Sequence, residues 1–367
     1  MTFKKISAAF MSAVLAVTMC GCNNSSKTSS DTGSNVTADA SSNVGTETNS
    51  SAQSEDSADN TSTPAAEAVK GFKVDGTKLL DANGNEFVMR GVNHAHVWFR
   101  DKLDTAIEAI AATGSNSVRI VLADGDQWDR STPEDVENVI AKCIEHKMIA
   151  ILEVHDATGK EERSYLDNAV DFWIELKDIL NAHTDTVIVN IANEWIGKSE
   201  ASKWKTVYSA AIPKMREAGI KNTIMVDAAG WGQYGASIKQ SGKAVLESDP
   251  DRNTMFSVHM YGTAGKNETT ITNNLKGATD QGLCIIVGEF GYNHSDGDVD
   301  EGFIMQYCNE NSLGYLGWSW KGNGGDVKYL DISKDWAGET LSEDWGEILI
   351  NGENGIRQTS KICSVFE

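Results

Sequence analysis

Val187-Ile188-Val189-Asn190-Ile191-Ala192-Asn193-Glu194-Trp195 is the stretch on which the fold turns. Four of its first five residues are β-branched, the composition of a strand buried on both faces. It ends on an amide and a carboxylate. A second run, Cys284-Ile285-Ile286-Val287-Gly288-Glu289-Phe290, also ends on a carboxylate. A carboxylate at the end of a buried strand costs free energy unless it is paired or used.

Working outward, strand-like runs start near Phe87, Ser117, Met148, Val187, Thr223, Met255, Cys284 and Tyr315, roughly thirty to forty residues apart. Most of the intervals hold a helical pattern: 103–112, 133–146, 166–181, 202–218 and 299–311. Pro133 suits a first helical turn, with Ser131 or Thr132 as its cap. Asp75-Gly76 and Asn83-Gly84 predict a hairpin-like segment ahead of the first strand. Eight strands alternating with helices predict an α/β protein, a (β/α)8 TIM barrel over residues 69–367. A doubly wound open sheet would place a glycine-rich phosphate loop after its first strand. The segment Gly91-Val92-Asn93-His94-Ala95-His96-Val97-Trp98 holds no such loop.

The N-terminal residues read as export and attachment rather than fold. Lys4 and Lys5 precede an apolar stretch from Ala8 to Met19 that is too short for a resident membrane helix. It runs into Cys20-Gly21-Cys22, which resembles a bacterial lipoprotein cleavage site with Cys22 as the lipidated first residue. Residues 1–21 are thus expected to be a lipoprotein signal peptide; a plain secretory signal is the alternative. Residues 22–68 are expected to be a disordered tether. From Asn23 to Ala68 there are 12 Ser, 7 Thr and no aromatic residue, too little apolar surface to form a core. The expected location is exported, lipid-anchored at the bacterial cell surface or secreted, with the membrane as a partner through the lipid.

A net charge of -21 opposes binding to a phosphate backbone, so no nucleic-acid partner is expected. Cys143, Cys284, Cys308 and Cys363 form no C-x-x-C pair, so neither a zinc nor a redox site is expected. Their spacing leaves a disulfide open. A monomer is expected.

Barrel chemistry sits at the carboxyl ends of the strands. The residues there are His94, His96 and Trp98 after the first strand, Arg119 on the second, and His155 and Asp156 after the third. The fourth gives Asn193 and Glu194, the fifth leads to Trp231, and the sixth gives His259 and Tyr261. The seventh gives Glu289, and the eighth carries Trp318 and Trp320. Glu194 and Glu289 would face each other across the mouth. Two carboxyl groups about 5 Å apart can cleave a glycosidic bond with retention, one attacking the anomeric carbon and the other protonating the leaving oxygen. Arg119 and Tyr261 are the donors that would serve Glu289, and Asn193 would donate to a sugar 2-hydroxyl. Four mouth histidines raise a metal site, yet they come from different strands, without H-x-x-x-H or H-E-x-x-H spacing. Hydrogen bonding to hydroxyls or carboxylates is their expected work, and no metal or cofactor is expected.

These residues carry a resemblance to glycoside hydrolase family 5, over Gly71 to Gly355. The matching positions are Arg119 in Ser117-Val118-Arg119-Ile120, His155, Asn193-Glu194, His259 with Tyr261, Glu289 in Gly288-Glu289-Phe290, and Trp318. The resemblance implies Glu194 as general acid/base, Glu289 as nucleophile, and a strand-eight Trp as platform under the sugar. Trp318 is the better match for the platform and Trp320, on the same face by period two, the alternative. Within the family the chain is similar to bacterial endo-β-1,4-mannanases, on Leu152–Gly159, Asp227–Tyr234 and Trp318–Asn323. Plant β-mannan is the substrate so implied: mannan, galactomannan or glucomannan. The chain departs from the family pattern at Gly262-Thr263, which bears on an outer subsite. The alternatives are an endo-β-1,4-glucanase of the same family and a non-catalytic glycan-binding surface lipoprotein.

Overall fold

The protein is described by a computed structural model, which covers residues 71–367. The expected signal peptide, Cys22 and the expected tether lie outside the described residues. Among the described residues, β1 (Arg90–His94), β2 (Ser117–Leu122), β3 (Ile149–Val154), β4 (Val187–Asn190), β5 (Ile224–Asp227), β6 (Thr254–Met260), β7 (Ile285–Phe290) and β8 (Gly314–Gly317) pair in parallel. β8 closes on β1, completing the barrel that the strand spacing predicts. The first strand starts at Arg90 and not near Phe87, because the Phe87 N–H turns back to the Leu79 carbonyl.

Helices α1 (Leu103–Ala112), α2 (Pro133–Glu145), α3 (Arg163–Glu175), α4 (Ala201–Glu217), α5 (Ala236–Ser248), α6 (Glu268–Thr279) and α7 (Glu301–Glu310) lie between strands. In α2, Val136, Val139, Ile140 and Cys143 are buried, a one-face stripe at helical spacing. Pro133 opens the helix and Thr132, not Ser131, caps it by accepting from the Asp135 N–H at 3.2 Å. Sequence patterning passes over α5 and α6. α6 is rich in Thr and Asn, weak helix formers, and only Ile271, Leu275 and Ala278 mark its buried face among large or methyl-bearing residues. The four cysteines among the described residues, Cys143, Cys284, Cys308 and Cys363, are all buried free thiols.

The hairpin Lys73–Asp75 with Lys78–Leu80 closes the amino end of the barrel. Phe72, Val74 and Leu79 pack there with Met89, Ile149, Ile151, Ile188, Met225, Met255, Ile286 and Leu316. That floor is apolar, so every polar function is left to the opposite end.

Candidate active site

Strand alternation sets which side chains enter the barrel. β3 sends in Ile149, Ile151 and Glu153, and β4 sends in Ile188 and Asn190. Beyond β4 the alternation ends, and the adjacent Asn193 and Glu194 both reach the site, Glu194 with its backbone in the left-handed conformation at φ 48°. Such a conformation costs a side-chain-bearing residue of order 1–3 kcal/mol and clusters at functional sites. Glu289 would fall on the wrong face of β7 by simple alternation. The register with β6 shifts, however, from Val258↔Val287 to His259↔Glu289, so Gly288 is an extra residue on β7. This bulge turns Glu289 inward. Glycine leaves room there: a Cβ on Gly288 would stand 2.2 Å from Ser257 Oγ, and that hydroxyl would have to turn away.

Arg119 is fully buried at the centre and every arm of its guanidinium is used. Nε donates to Asn190 Oδ1 at 2.9 Å, Nη1 to Asn93 Oδ1 at 3.0 Å and Glu289 Oε1 at 2.7 Å, and Nη2 to Asn193 Oδ1 at 2.7 Å. Nη2 also reaches Asp227 Oδ2 at 3.4 Å. Burial opposes the Arg119 charge, but Glu153, Glu289 and Asp227 outweigh it and raise its pKa. Glu289 Oε2 accepts from the Tyr261 hydroxyl at 2.9 Å. Burial and then the charges of Glu289 and Glu194 push the Tyr261 pKa well up, so this phenol stays a donor.

Glu194 differs. Its Oε1 lies 2.8 Å from His259 Nδ1, and its other oxygen makes no hydrogen bond within the described residues. Burial raises its pKa; His259 opposes the rise and Glu289 adds to it. Burial also works against a charge on His259, yet Glu289, Asp227 and Glu194 raise its pKa to about 9. One oxygen of Glu194, one ring nitrogen of His259 and one oxygen of Glu289 lie within 4.8 Å of one another. That proximity fits a retaining pair, whose carboxyl groups stand about 5 Å apart, better than an inverting pair at about 6.5–9.5 Å. These three donors are also the described residues' one cluster of metal-ligand type. His259 Nδ1 faces Glu194 at 2.8 Å and Glu289 at 3.6 Å, so a doubly protonated ring would donate between the two carboxylates.

Around the pair, Asn193 Nδ2 donates to Thr158 Oγ1 at 2.9 Å, leaving one amide hydrogen uncommitted. His155 Nδ1 is held by Glu153 Oε1 at 2.9 Å and its ring stacks on Trp318, centroids 5.8 Å apart. Burial works against the His155 charge, but Glu153 turns the balance and raises its pKa. Trp98 meets His155 edge-on at 5.1 Å and Trp128 at 5.4 Å. Trp231 stands at the rim, 50% exposed, with its indole against Gly159.

Two expected site residues do not reach the cleft. Trp320 is fully buried and donates its indole N–H to the Trp336 carbonyl, because the chain after β8 no longer follows strand alternation. The platform position therefore falls to Trp318. His94 is fully buried too, edge-on to Trp336 and 5.9 Å from His96, and neither of its ring nitrogens has a hydrogen-bond partner. It lies out of phase with Asn93, the residue of β1 that enters the barrel. His96 pairs with Asp135 at 2.9 Å, away from the carboxylates. Asn93, Glu153, Asn190, Asp227 and Trp128 belong to the site or its supports although none of them is assigned a role from sequence, Glu153 and Asp227 lying within segments that carry the resemblance. For the first four, period-two alternation within a buried strand is the available signal.

The fold and this pair of carboxylates define a glycoside hydrolase barrel. The family profile described as "Cellulase (glycosyl hydrolase family 5)" matches residues 80–324, and the chain belongs to that family. It is 52% identical over 296 residues to a mannan endo-1,4-beta-mannosidase of Salipaludibacillus agaradhaerens, spanning 81% of this chain and 96% of that one. Among solved structures it is similar to the beta-mannanase from Thermomonospora fusca, at 44% identity and TM-score 0.78, covering 81% of this chain and 100% of that one. It is also similar to the mannohexaose complex of that enzyme, at 43% identity and TM-score 0.77, with the same coverage.

Proposed function

We propose that this chain is an endo-acting, retaining β-1,4-mannanase that cleaves mannan, galactomannan or glucomannan. The observation that carries the reaction class is the Glu194–Glu289 pair with its unequal surroundings. The relatives at 52% and 44% identity, both mannanases by name, support the substrate class.

In the first step Glu289 attacks the anomeric carbon while Glu194 passes its proton to the departing oxygen. The glycosidic C–O bond breaks and a glycosyl ester forms on Glu289. In the second step Glu194, now a carboxylate, takes a proton from water, whose oxygen attacks the anomeric carbon and frees Glu289. The raised pKa of Glu194 suits it to the first of these tasks. Arg119 and Tyr261 orient Glu289, and Asn193 donates its free amide hydrogen to the 2-hydroxyl. Trp318 carries the sugar face, with His155 and Trp98 beside it, and Trp231 receives a more distant sugar.

On this proposal the enzyme works outside the cell, lipid-anchored through Cys22, with residues 22–68 as the tether of a monomeric barrel. Metabolic labelling with a fatty acid tests the anchor: wild type takes up label and Cys22→Ala does not. Label-free wild type in the culture fluid favours plain secretion. Incubation with mannan, galactomannan, glucomannan and carboxymethylcellulose tests the substrate. New reducing ends from the three mannans support the proposal; release from carboxymethylcellulose alone makes the chain a glucanase.

A further inference from the structure

Asp227, at the carboxyl end of β5, has no part in the two steps above, yet its carboxylate touches almost everything behind the acid. It is fully buried. Its Oδ2 accepts the backbone N–H of Glu194 at 3.1 Å and lies 3.4 Å from Arg119 Nη2. The same oxygen lies 3.5 Å from His259 Nε2, long for a hydrogen bond but close for opposite charges. Oδ1 accepts from Asn190 Nδ2 at 3.1 Å. The backbone of Asp227 is fixed as well, its carbonyl accepting the Trp204 indole N–H at 2.8 Å.

We propose that Asp227 is a positioning residue for the acid/base: it pins the strained backbone of Glu194 and keeps the second ring nitrogen of His259 protonated, so that Nδ1 can donate to Glu194. The backbone part follows from geometry. Glu194 has left the β4 ladder at φ 48°, and its N–H finds Asp227 in place of a strand partner. The His259 part follows from the ring. When Nδ1 donates to Glu194 and Nε2 faces a carboxylate, the doubly protonated imidazole is the form both neighbours favour. The charged and titratable groups facing this ring are Glu194, Asp227 and Glu289, with Arg119, Tyr261 and His155 around them. Asp227 thus couples where the acid stands to how its proton is held.

The inference rests on Glu194 being the acid/base of the proposed reaction, and its test separates the two ideas. In wild type carrying 15N-labelled histidine, the His259 signals should stay those of an imidazolium beyond pH 8. Titration near 6.5 overturns the proposal, whatever the enzyme cleaves and without any variant. Asp227→Asn keeps shape and an acceptor oxygen but loses the charge. It should lower the His259 titration by about one pH unit or more and move the alkaline limb of kcat/KM the same way. Its kcat on mannan should fall about a hundredfold, because Glu194 is no longer held by a fully protonated His259. On 2,4-dinitrophenyl β-mannobioside, whose leaving group needs no proton, the initial cleavage should fall only a few-fold. Asp227→Glu keeps the charge and displaces the oxygen, so turnover on mannan should drop with the alkaline limb unmoved. Equal losses on both substrates, with the limb unmoved in Asp227→Asn, would reduce Asp227 to a structural residue. Failure of wild type to cleave either substrate would sink the mannanase reading and leave the His259 titration standing.

Discussion

Along β3 the inward side chains run Ile149, Ile151, Glu153; along β4, Ile188 and Asn190; along β5, Met225 and Asp227; along β6, Met255, Ser257 and His259. At the amino end these positions build a dry floor closed by the hairpin. At the carboxyl end the same alternation delivers Asn93, Arg119, Glu153, Asn190, Asp227 and His259, all fully buried. The floor gains its free energy from apolar area removed from water. The mouth gives some of it back, since each buried charge must be met by a partner. The comparison teaches that one backbone pattern serves both ends, and that side-chain chemistry alone divides stability from function.

Substitutions should separate the two ends. The largest effect belongs to the mouth: Glu289→Gln and Glu194→Gln should each lose at least about a thousandfold in kcat on mannan. Each should melt within a few degrees of wild type, because the amide keeps the shape and Arg119 keeps Glu153 and Asp227 as counter-charges. Thermal unfolding and initial rates on the same preparations check both statements. At the floor the outcome should invert. Ile188→Ala should cost about 2–5 kcal/mol in denaturant unfolding while the folded protein keeps its kcat. A large loss of kcat there, or of stability at Glu289, would break the comparison.

Two of the four buried histidines give a pH test of smaller size. His259 has its pKa raised to about 9, so between its unfolded value near 6.5 and about 9 the native state holds a proton that the unfolded state lacks. Its stabilisation is complete below about 6.5 and lost as pH rises through 9. His94 is the reverse. Burial, and then His96, lowers its pKa to about 3. Its contribution is present above about 6.5 and lost as pH falls toward 3. Unfolding midpoints across pH should therefore flatten on the alkaline side in His259→Asn and on the acid side in His94→Leu. The smallest effects belong to the aromatic rim. Trp318→Ala should raise KM for mannan about tenfold, and Trp231→Ala, on an exposed ring, by less.

Much of this is legible in the chain itself. The strand spacing predicts the barrel, and two strand-end glutamates with Arg119, Asn193, His259 and Tyr261 converge as their motifs imply. What stays hidden depends on phase within a strand. Asn93 and His94 are adjacent polar residues, and only the register of β1 against β2 sends Asn93 to Arg119 and His94 to Trp336. Trp318 and Trp320 look equivalent by period two, but β8 ends at Gly317 and the chain beyond it buries the second indole. The bulge at Gly288 is invisible to alternation, although the glycine beside the glutamate marks it. α5 and α6 escape the pattern because tertiary packing, not propensity, makes them helices.

The stereochemistry of cleavage tests the Glu194–Glu289 assignment most directly. Proton NMR of mannohexaose in the first minutes of digestion by the wild-type enzyme reads the anomeric configuration of each new reducing end before mutarotation. With one oxygen of each carboxyl within 4.8 Å of the other, double displacement is the expected route, so the β-anomer should appear first and the α-anomer only later. First appearance of the α-anomer would mean single displacement by water, and would contradict Glu289 as nucleophile.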